Sequence, residues 1–465
     1  MGWSQVAAHR WERPLDGVEA FMAIMSSPFG LSCDDLQHCT AFSRIKLEWT
    51  PAPADLESTL RQAWLQLRYE QPSIATFVNG LAKVYEVPVG SMLQVWLDNT
   101  FVVSPASNAD GVYRTVESIK QATLYYVPRS SELLIRAPLY VIDGVGMLML
   151  WDRLLRLVTR PTKRKIQFGS EPKRLVPPLA DMLGTLYPPT GEQEENIMAI
   201  LEEYFQKMAP PSDPISDPSQ YQTTGRRCSS TLVFSAQSTA ALFEACKAIN
   251  ISVTSVIHAA FIQLSSHVSG ARQEPPESEN EYVTWLTFDL RKYLPAPFNM
   301  TEYAASLLVS HMPWNIALPA PFPEIAHALN ESYRTTFRDD PQFIRLIPHM
   351  DQIALNARRA ALAQGIAIPR KTIVNSIGVA DRYVQHTYGD GDILTVHDVV
   401  VNYDVDVGPS FFTIWTFRDQ LRIAYDFNDD NETRASVDSF LESVRKKLSE
   451  QVLGGADIEV SKSSV

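Results

Sequence analysis

Hydrophobic residues recur along the chain at the two spacings that distinguish helices from strands. A period of three to four residues predicts helices over residues 53–69, 144–159, 192–208, 237–249, 254–268 and 434–451. Alternation and short apolar runs bounded by turn residues predict strands over 82–87, 122–127, 132–142, 230–234, 281–289, 304–311, 371–376, 411–417 and 421–427. The mixture predicts an α+β fold in two similar-sized halves, each a mixed sheet with helices.

A proline-rich stretch separates the two halves. Ten of the 31 prolines lie between Arg160 and Arg226, interrupted by one predicted helix. Connections of this composition usually run over a surface or between domains. We therefore predict a first half at 1–160, a proline-rich bridge at 161–225 and a second half at 226–465. The polar tail after Gly454 is predicted to be frayed.

The charge balance narrows the range of partners. A total of 41 Lys and Arg against 53 Asp and Glu gives a net charge of −12, so nucleic acid and anionic membrane surfaces are poor partners. Charged residues interrupt the N-terminal segment where a signal peptide would be apolar, and no apolar run reaches the roughly 18 residues that span a bilayer. The four cysteines lack the spacing of a metal site, so we expect reduced thiols, no metal and a cytoplasmic location.

The most informative segment is the one in which a predicted strand ends in Asp143-Gly144-Val145-Gly146 and a helix follows. By itself, Asp-Gly after a strand indicates only a turn. Three other segments accompany it in a fixed order: the helix at 253–266, the run Phe288-Asp289-Leu290-Arg291 and the hairpin at 412–421. With these segments the chain resembles the CoA-dependent acyltransferase and condensation-domain superfamily, and it looks closest to the fungal trichothecene O-acetyltransferase branch. The resemblance covers nearly the whole chain and implies two chloramphenicol-acetyltransferase-like halves that form a central tunnel.

The sequence departs from this superfamily at the active-site motif. The family pattern is His-x-x-x-Asp-Gly, and its histidine is the general base that deprotonates the acceptor. Counting back from Asp143 places that histidine at residue 139, which is Leu139 and is preceded by Pro138. Leucine cannot accept a proton, and general-base catalysis typically contributes about 10²–10⁴-fold. We therefore expect ordinary acyl transfer to be crippled.

The aspartate of the motif is retained. The resemblance implies that Asp143 is mainly structural and pairs with an arginine of the second half, for which Arg291 is the matching residue. The retained pair beside a lost histidine indicates an intact scaffold with changed chemistry.

Other residues are candidates for the remaining chemistry. His311, at the end of a predicted strand that the resemblance places along the tunnel, is the leading replacement base. Asn375 and Ser376 match the family's crossover region, where such side chains would orient a substrate carbonyl. His258 lies inside a predicted buried helix and is assigned to packing.

Four residues are predicted to line the substrate pocket. They are Leu139 and Tyr140 near the motif, and Thr413 and Trp415 in the hairpin. Because alternate residues of a strand face opposite sides, Tyr140 is expected to point away from Leu139.

Three functions are consistent with these features. The first is a secondary-metabolite enzyme that cyclises a hydrophobic polyketide or terpenoid, including by a Diels–Alder-type pericyclic reaction, because such a reaction needs mainly a shaped pocket. The second is an acyl-CoA-dependent O-acyltransferase that uses another base, and the third is a non-catalytic binding protein. We expect no cofactor, a hydrophobic small molecule as the partner, no membrane or nucleic acid, and a monomer.

Overall fold

The computed structural model describes residues 2–25, 39–115, 117–161, 166–185, 189–207, 225–270, 280–338, 342–363, 372–405 and 409–464. The chain divides into two compact units. The first unit comprises Met1–Thr185, Asp289–Val309 and Val379–Asp404, and the second comprises Leu186–Phe288, Ser310–Gly378 and Val405–Val465. Both units are discontinuous along the chain, because two segments of the later sequence belong to the first unit. The domain boundaries predicted at residues 160 and 225 instead divide the chain into three consecutive segments.

The first unit contains six α-helices and ten strands among its described residues, with the α-helices and strands numbered in chain order. The helices are α1 (Gly17–Met25), α2 (Leu56–Glu70), α3 (Met92–Thr100), α4 (Ala109–Thr115), α5 (Gly144–Thr159) and α6 (Leu179–Leu183). The strands are β1 (Ser4–Ala7), β2 (Arg10–Pro14), β3 (Cys39–Trp49), β4 (Phe77–Asn79), β5 (Ala82–Glu86), β6 (Phe101–Val103), β7 (Thr123–Val127), β8 (Glu132–Pro138), β13 (Thr387–Tyr388) and β14 (Leu394–Val405).

Two sheets organise the first unit. A four-stranded sheet has the order β1-β2-β5-β4, and a six-stranded sheet has the order β13-β14-β3-β8-β7-β6. The larger sheet is mixed, since β6 and β7 are parallel whereas β7 and β8 are antiparallel. Helix α5 is fastened to β3 by the Trp151 indole, which donates to the Ser43 hydroxyl at 2.9 Å, and Ser43 in turn donates to the Val400 carbonyl at 2.7 Å. One buried hydroxyl thus links a helix and two strands that are far apart in sequence.

The second unit contains the remaining described α-helices and strands. Its helices are α7 (Gly191–Lys207), α8 (Ala236–Ala248), α9 (Val253–Gly270), α10 (Phe322–Thr335), α11 (Ile347–Ala363) and α12 (Arg434–Val452). Its strands are β9 (Arg227–Phe234), β10 (Asn280–Asp289), β11 (Val309–Leu318), β12 (Ile373–Val379), β15 (Phe411–Phe417), β16 (Gln420–Asn428) and β17 (Val460–Ser464). The helix predicted inside the proline-rich bridge is α7.

A five-stranded sheet, in the order β12-β15-β16-β9-β17, forms the centre of the second unit, and β10 and β11 form a separate pair. Strands β15 and β16 are joined by a two-residue turn in which Arg418 and Asp419 both have positive φ, at 50° and 56°, the geometry of a tight hairpin turn. Phe412 of β15 lies 4.9 Å from Phe261 of α9, and Phe261 lies 5.4 Å from Phe440 of α12. These ring contacts hold the two helices against one face of the sheet.

Two sequence-based predictions about chain ends and strands were wrong. The tail after Gly454 is not frayed, because Val460–Ser464 forms the edge strand β17, antiparallel to β9. Ile458 is 1% exposed and anchors the segment that leads into this strand. The polar sequence of this segment gives no apolar pattern from which a strand could be predicted. An edge strand is held by backbone hydrogen bonds to one neighbour and can carry polar side chains.

The strand predicted over 304–311 begins later, at Val309, and runs on to Leu318. The preceding residues adopt irregular backbone, and the Leu308 N–H is bound by the Asp143 carboxylate. His311 is therefore the third residue of a strand rather than its end.

Two further sequence features can be located in the described residues. Cys228 and Cys246 are free and buried, whereas Cys33 lies outside the described residues. No single helix in the described ranges has the length and apolar composition that crossing a membrane requires. One pair, Ala236–Ala248 with Val253–Ser265, reaches those values only jointly and is bent by 95° at its break.

Candidate functional site

The strand before the Asp-Gly motif ends earlier than its apolar pattern predicts. All residues of β8 are buried, and the strand stops at Pro138, whose carbonyl accepts a hydrogen bond from the Val141 N–H at 2.8 Å. Leu139 and Tyr140 consequently lie in a turn. The prediction that they occupy opposite faces of a strand was therefore wrong.

Asp143 starts helix α5 as its N-cap. Its Oδ1 atom accepts from the Gly146 N–H at 2.8 Å, and its backbone carbonyl accepts from the Met147 N–H at 2.9 Å. An aspartate at this position satisfies donors that a helix start otherwise leaves unpaired. The local sequence alone therefore explains why the helix begins at Gly144.

Asp143 also forms a buried ion pair within the first unit. The Arg291 Nη1 atom lies 2.9 Å from Asp143 Oδ1, and the Leu308 N–H donates to Oδ2 at 2.7 Å. Asp143 and Arg291 are each 5% exposed. Burial alone would lower the pKa of Arg291, but the carboxylates of Asp143 and Asp289 outweigh it and raise that pKa. Both oxygens of Asp143 are thus occupied by structural bonds.

Residue 146 must be a glycine because Ala304 and Arg291 approach its backbone closely. A Cβ atom built on Gly146 would lie 2.3 Å from the Ala304 carbonyl oxygen and 2.9 Å from Arg291 Nη2. Backbone oxygen cannot move aside as a flexible side chain can. The second glycine of the motif is therefore a packing requirement.

We expect Gly146→Ala to lower the free energy of unfolding by about 1–3 kcal/mol or more, because the added methyl group forces the Ala304 backbone to shift. Chemical denaturation of the purified variant measures this loss. Gly111→Ala is the matched control, since Gly111 is also helical and its nearest neighbour, the Ala106 Cβ, lies 3.4 Å from the added atom. That control is expected to gain up to about 1 kcal/mol. Equal effects of the two substitutions would contradict the packing role of Gly146.

The turn that contains residue 139 is held by a buried charged network. The Lys83 ammonium donates to the Tyr140 carbonyl at 2.9 Å and to Glu19 Oε1 at 2.6 Å. Glu19 also accepts two hydrogen bonds from Arg13, at 2.6 and 2.7 Å. The Tyr140 hydroxyl donates to the Lys120 carbonyl at 3.1 Å, and burial raises the pKa of Tyr140. The side chain of Tyr140 is therefore committed to the structure of the turn.

Leu139 lies in this turn and is 4% exposed. The residue that the predicted resemblance matches to the superfamily's histidine is thus a buried aliphatic side chain. Sequence reasoning missed Lys83 and Glu19, which hold this turn. A partial signal was present, since Asp16 and Glu19 have the spacing of a capping box, and each carboxylate accepts from the other residue's backbone N–H, at 3.0 and 3.2 Å.

The three predicted catalytic side chains lie in the second unit. His311, on β11, is half-buried, and desolvation lowers its pKa to about 4. Asn375 and Ser376 are half-buried neighbours on β12, and the Ser376 hydroxyl lies 2.9 Å from the Thr254 hydroxyl of α9. His258, which was assigned to packing, is fully buried against Tyr333, and desolvation lowers its pKa to about 3.

The predicted hairpin residues also lie in the second unit. Thr413 is 0% exposed and Trp415 is 1% exposed, and both lie on the same face of β15 because they are two residues apart. Strand β12, which carries Asn375 and Ser376, is the neighbour of β15 in the sheet. Among the described residues the Thr413 hydroxyl has no hydrogen-bond partner. The fold therefore brings the polar pair and the hairpin pair onto adjacent strands.

No group of three or more His, Cys, Asp or Glu side chains in the described ranges is arranged to hold a metal ion.

No family model matches the chain. Three curated relatives are similar over most of its length. O-acetyltransferase pigM of Monascus ruber is 25% identical over 92% of this chain and 83% of its own length, and acetyltransferase pigO of the same organism is 25% identical over 94% and 95%. Azaphilone biosynthesis cluster protein M of Aspergillus terreus is 25% identical over 82% of this chain and 81% of its own length.

Solved structures share the fold at lower sequence identity. The trichothecene 15-O-acetyltransferase TRI3 of Fusarium sporotrichioides has a TM-score of 0.77 at 16% identity and covers 96% of each chain. The condensation domain of the Monacolin K polyketide synthase MokA has a TM-score of 0.59 at 13% identity, covering 96% of this chain and 98% of that one. These similarities confirm the predicted resemblance to acyltransferases and condensation domains, and with it the α+β fold class.

Proposed function

We propose, from the premise that this chain has the acyltransferase and condensation-domain fold, that it is a biosynthetic enzyme of fungal secondary metabolism that works without a histidine at residue 139. The names of the curated relatives support a biosynthetic role, since they include two acetyltransferases and an azaphilone biosynthesis cluster protein. The observation that carries the proposal is the buried Leu139 beside a fully bonded Asp143. The helix start and its ion pair are retained, while the proton acceptor is replaced by an aliphatic side chain.

A cyclisation of a hydrophobic polyketide or terpenoid suits this arrangement. In a pericyclic ring closure the bonds form and break within one substrate, so neither an acyl donor nor a base is consumed. The protein contributes by holding the reacting carbons in a near-attack geometry, aided by hydrogen bonds to a carbonyl. Thr413 and Ser376 are the hydroxyl groups that we propose for that hydrogen bond, and Asn375 is the amide.

The second candidate is acyl transfer from an acyl-CoA to a hydroxyl group with another residue as base. The acetyltransferase names of pigM and pigO favour it. His311 is the leading base, but desolvation lowers its pKa to about 4. An imidazole with so low a pKa is unprotonated at neutral pH and is a weak base, because proton-transfer catalysis is most efficient when the pKa lies near the working pH.

The two candidates are separated by assays on the wild-type protein. In the first arm, acetyl-CoA is supplied with a panel of hydroxylated azaphilones and terpenoid alcohols, and free thiol and ester products are measured. In the second arm, linear polyene precursors are supplied without CoA, and isomers of unchanged mass are sought. We expect turnover only in the second arm. Robust acyl transfer in the first arm would overturn the cyclisation proposal.

Substitutions at residue 139 sharpen this test. Leu139→Met conserves the apolar volume and is expected to keep the cyclisation rate within about threefold. Leu139→His introduces a polar ring and is expected to lower that rate about tenfold or more, which corresponds to roughly 1.4 kcal/mol.

If acyl transfer is found instead and His311 is its base, kcat/KM should rise with pH through about 4 and stay level between pH 6 and 8, and His311→Gln should abolish that rise.

A further inference from the structure

Arg68, on helix α2 of the first unit, is buried among aromatic rings. It is 4% exposed, and its guanidinium carbon lies 4.5 Å from the centre of the Trp96 ring, 5.6 Å from that of Phe168 and 6.0 Å from that of Tyr85. Aromatic rings attract the face of a guanidinium group. They do not bind its N–H groups, which point outward in the plane of the group.

Several N–H groups in this cluster have no acceptor among the described residues, whereas Arg174 Nη2 donates to the Tyr69 carbonyl. Arg68 Nη2 donates to the Glu86 carbonyl at 3.2 Å, but Arg68 Nε and Nη1 have no hydrogen-bond partner in the described part of the chain. The same holds there for the indole nitrogen of Trp96 and for Nε of Arg174. Arg174 lies next to the cluster, since its guanidinium carbon is 4.4 Å from the centre of the Tyr69 ring and the Tyr69 ring contacts Phe168. Buried donors are rarely left unpaired in folded proteins.

The carboxylates near Arg68 are engaged elsewhere. Glu171 is fully buried and accepts from the Tyr85 hydroxyl at 2.9 Å and from the Gly169 N–H at 2.5 Å. The Glu86 side chain accepts from Arg10 at 3.1 Å. Burial lowers the pKa of Arg68, and Tyr85, Glu171 and Glu86 offset only part of that effect. The buried donors of the cluster are therefore left unpaired by the described side chains.

We propose that Arg68, Trp96 and Arg174 form a binding site for a compact oxyanion, namely a phosphate or carboxylate group. Such a group accepts several hydrogen bonds at once, and the planar fork of a guanidinium group matches the geometry of phosphate and carboxylate. Phe168 lies at the outer side of the site, because it is half-buried and both of its neighbours, Gln167 and Gly169, are exposed. The site includes neither Leu139 nor the Asp143–Arg291 pair, so its test is independent of the proposed reaction.

Thermal unfolding and calorimetric titration of the full-length protein test this site with three probes: inorganic phosphate, acetate and adenosine monophosphate. Sodium chloride at equal ionic strength is the reference. A ligand present at 100 times its Kd raises the ratio of folded to unfolded protein about 100-fold, so a phosphate-dependent rise in Tm beyond the chloride reference is expected. Binding of the nucleotide as tightly as phosphate assigns the site to a phosphate carried by a larger molecule. Binding of phosphate or acetate alone assigns it to a free anion.

Variants connect the binding to the named residues. Arg68→Met is expected to abolish the phosphate effect, and Trp96→Phe, which keeps the ring contact and removes one donor, is expected to weaken binding about tenfold. Arg61→Met is the matched control, because Arg61 lies on the same helix and also stacks on a ring, that of Phe101, but is paired with Glu57 at 3.0 Å. It should bind phosphate as the wild type does.

Two results would overturn the proposal. The first is the absence of any phosphate or acetate effect beyond chloride in the wild-type protein. The second is unchanged binding in Arg68→Met or, where that variant does not fold, unchanged binding in Trp96→Phe.

Discussion

Replacing Glu19 by glutamine is expected to cost about 3–5 kcal/mol of stability, because one neutral side chain would then face two buried cations. Glu19 binds Arg13 and Lys83, and all three residues are at most 3% exposed. Its carboxylate also accepts from the Asp16 N–H at the start of α1. This single change removes the carboxylate that binds both cations of the network that fixes the turn containing Leu139.

Denaturant unfolding followed by tryptophan fluorescence measures the loss. Glu57→Gln is the matched control, since Glu57 also pairs with an arginine in the first unit but at the surface, where the side chains of Glu57 and Arg61 are 46% and 33% exposed. Exposed pairs contribute at most about 1 kcal/mol. Similar small losses for both substitutions would show that the network contributes no more than a surface pair.

The pairing of Glu19 with Arg13 and Lys83 also makes the stability of the protein depend on pH. Burial alone would raise the pKa of Glu19, but Arg13 and Lys83 lower it from 4.5 to about 2. Because the folded-state pKa lies below the unfolded value, the stabilisation is present above pH 4.5 and is lost as the pH falls toward 2. In Glu19→Gln this part of the acid-induced loss should disappear. A wild-type stability that does not fall more steeply than that of the variant below pH 4.5 would contradict the pairing.

Replacing Arg291 by methionine is expected to cost a similar amount, about 3–5 kcal/mol, because the buried carboxylate of Asp143 then loses its cation. The Leu308 and Gly146 N–H groups remain as donors to it, so the helix start is kept while the charge is left uncompensated. Arg160→Met is the control, since the Arg160–Asp390 pair of the first unit is exposed at 68% and 88%. That control should lose at most about 1 kcal/mol.

A double substitution distinguishes charge from packing in this pair. Asp143→Asn combined with Arg291→Met removes both charges and should destabilise less than the sum of the two single changes. The difference, measured by the same denaturant unfolding, is the coupling between Asp143 and Arg291. Strict additivity would show that Arg291 acts by filling space alone.

Local features of the chain were predictable because their causes lie within a few residues. Helix α5 was predicted over 144–159 and occupies Gly144–Thr159, since Asp143 caps it and its apolar residues keep a helical period. The hairpin around Arg418 was also predicted nearly to the residue, over 411–417 and 421–427 against Phe411–Phe417 and Gln420–Asn428. The resemblance in motif order was enough to name the fold and to identify the missing histidine at Leu139.

Tertiary structure decided which distant residues meet. Strand β14 joins the sheet of the first unit, β17 completes the sheet of the second, and Lys83 reaches the Tyr140 carbonyl. None of these three pairings has a local signal in the sequence. A backbone N–H or a lysine ammonium can donate to many acceptors, and only the folded chain selects one of them. Pro138 shows the same limit, since the apolar run continues to Ile142 while the strand ends four residues earlier. Hydrophobic periodicity reports that residues are buried, and the place where a strand gives way to a turn depends on backbone hydrogen bonds that the side-chain pattern does not encode.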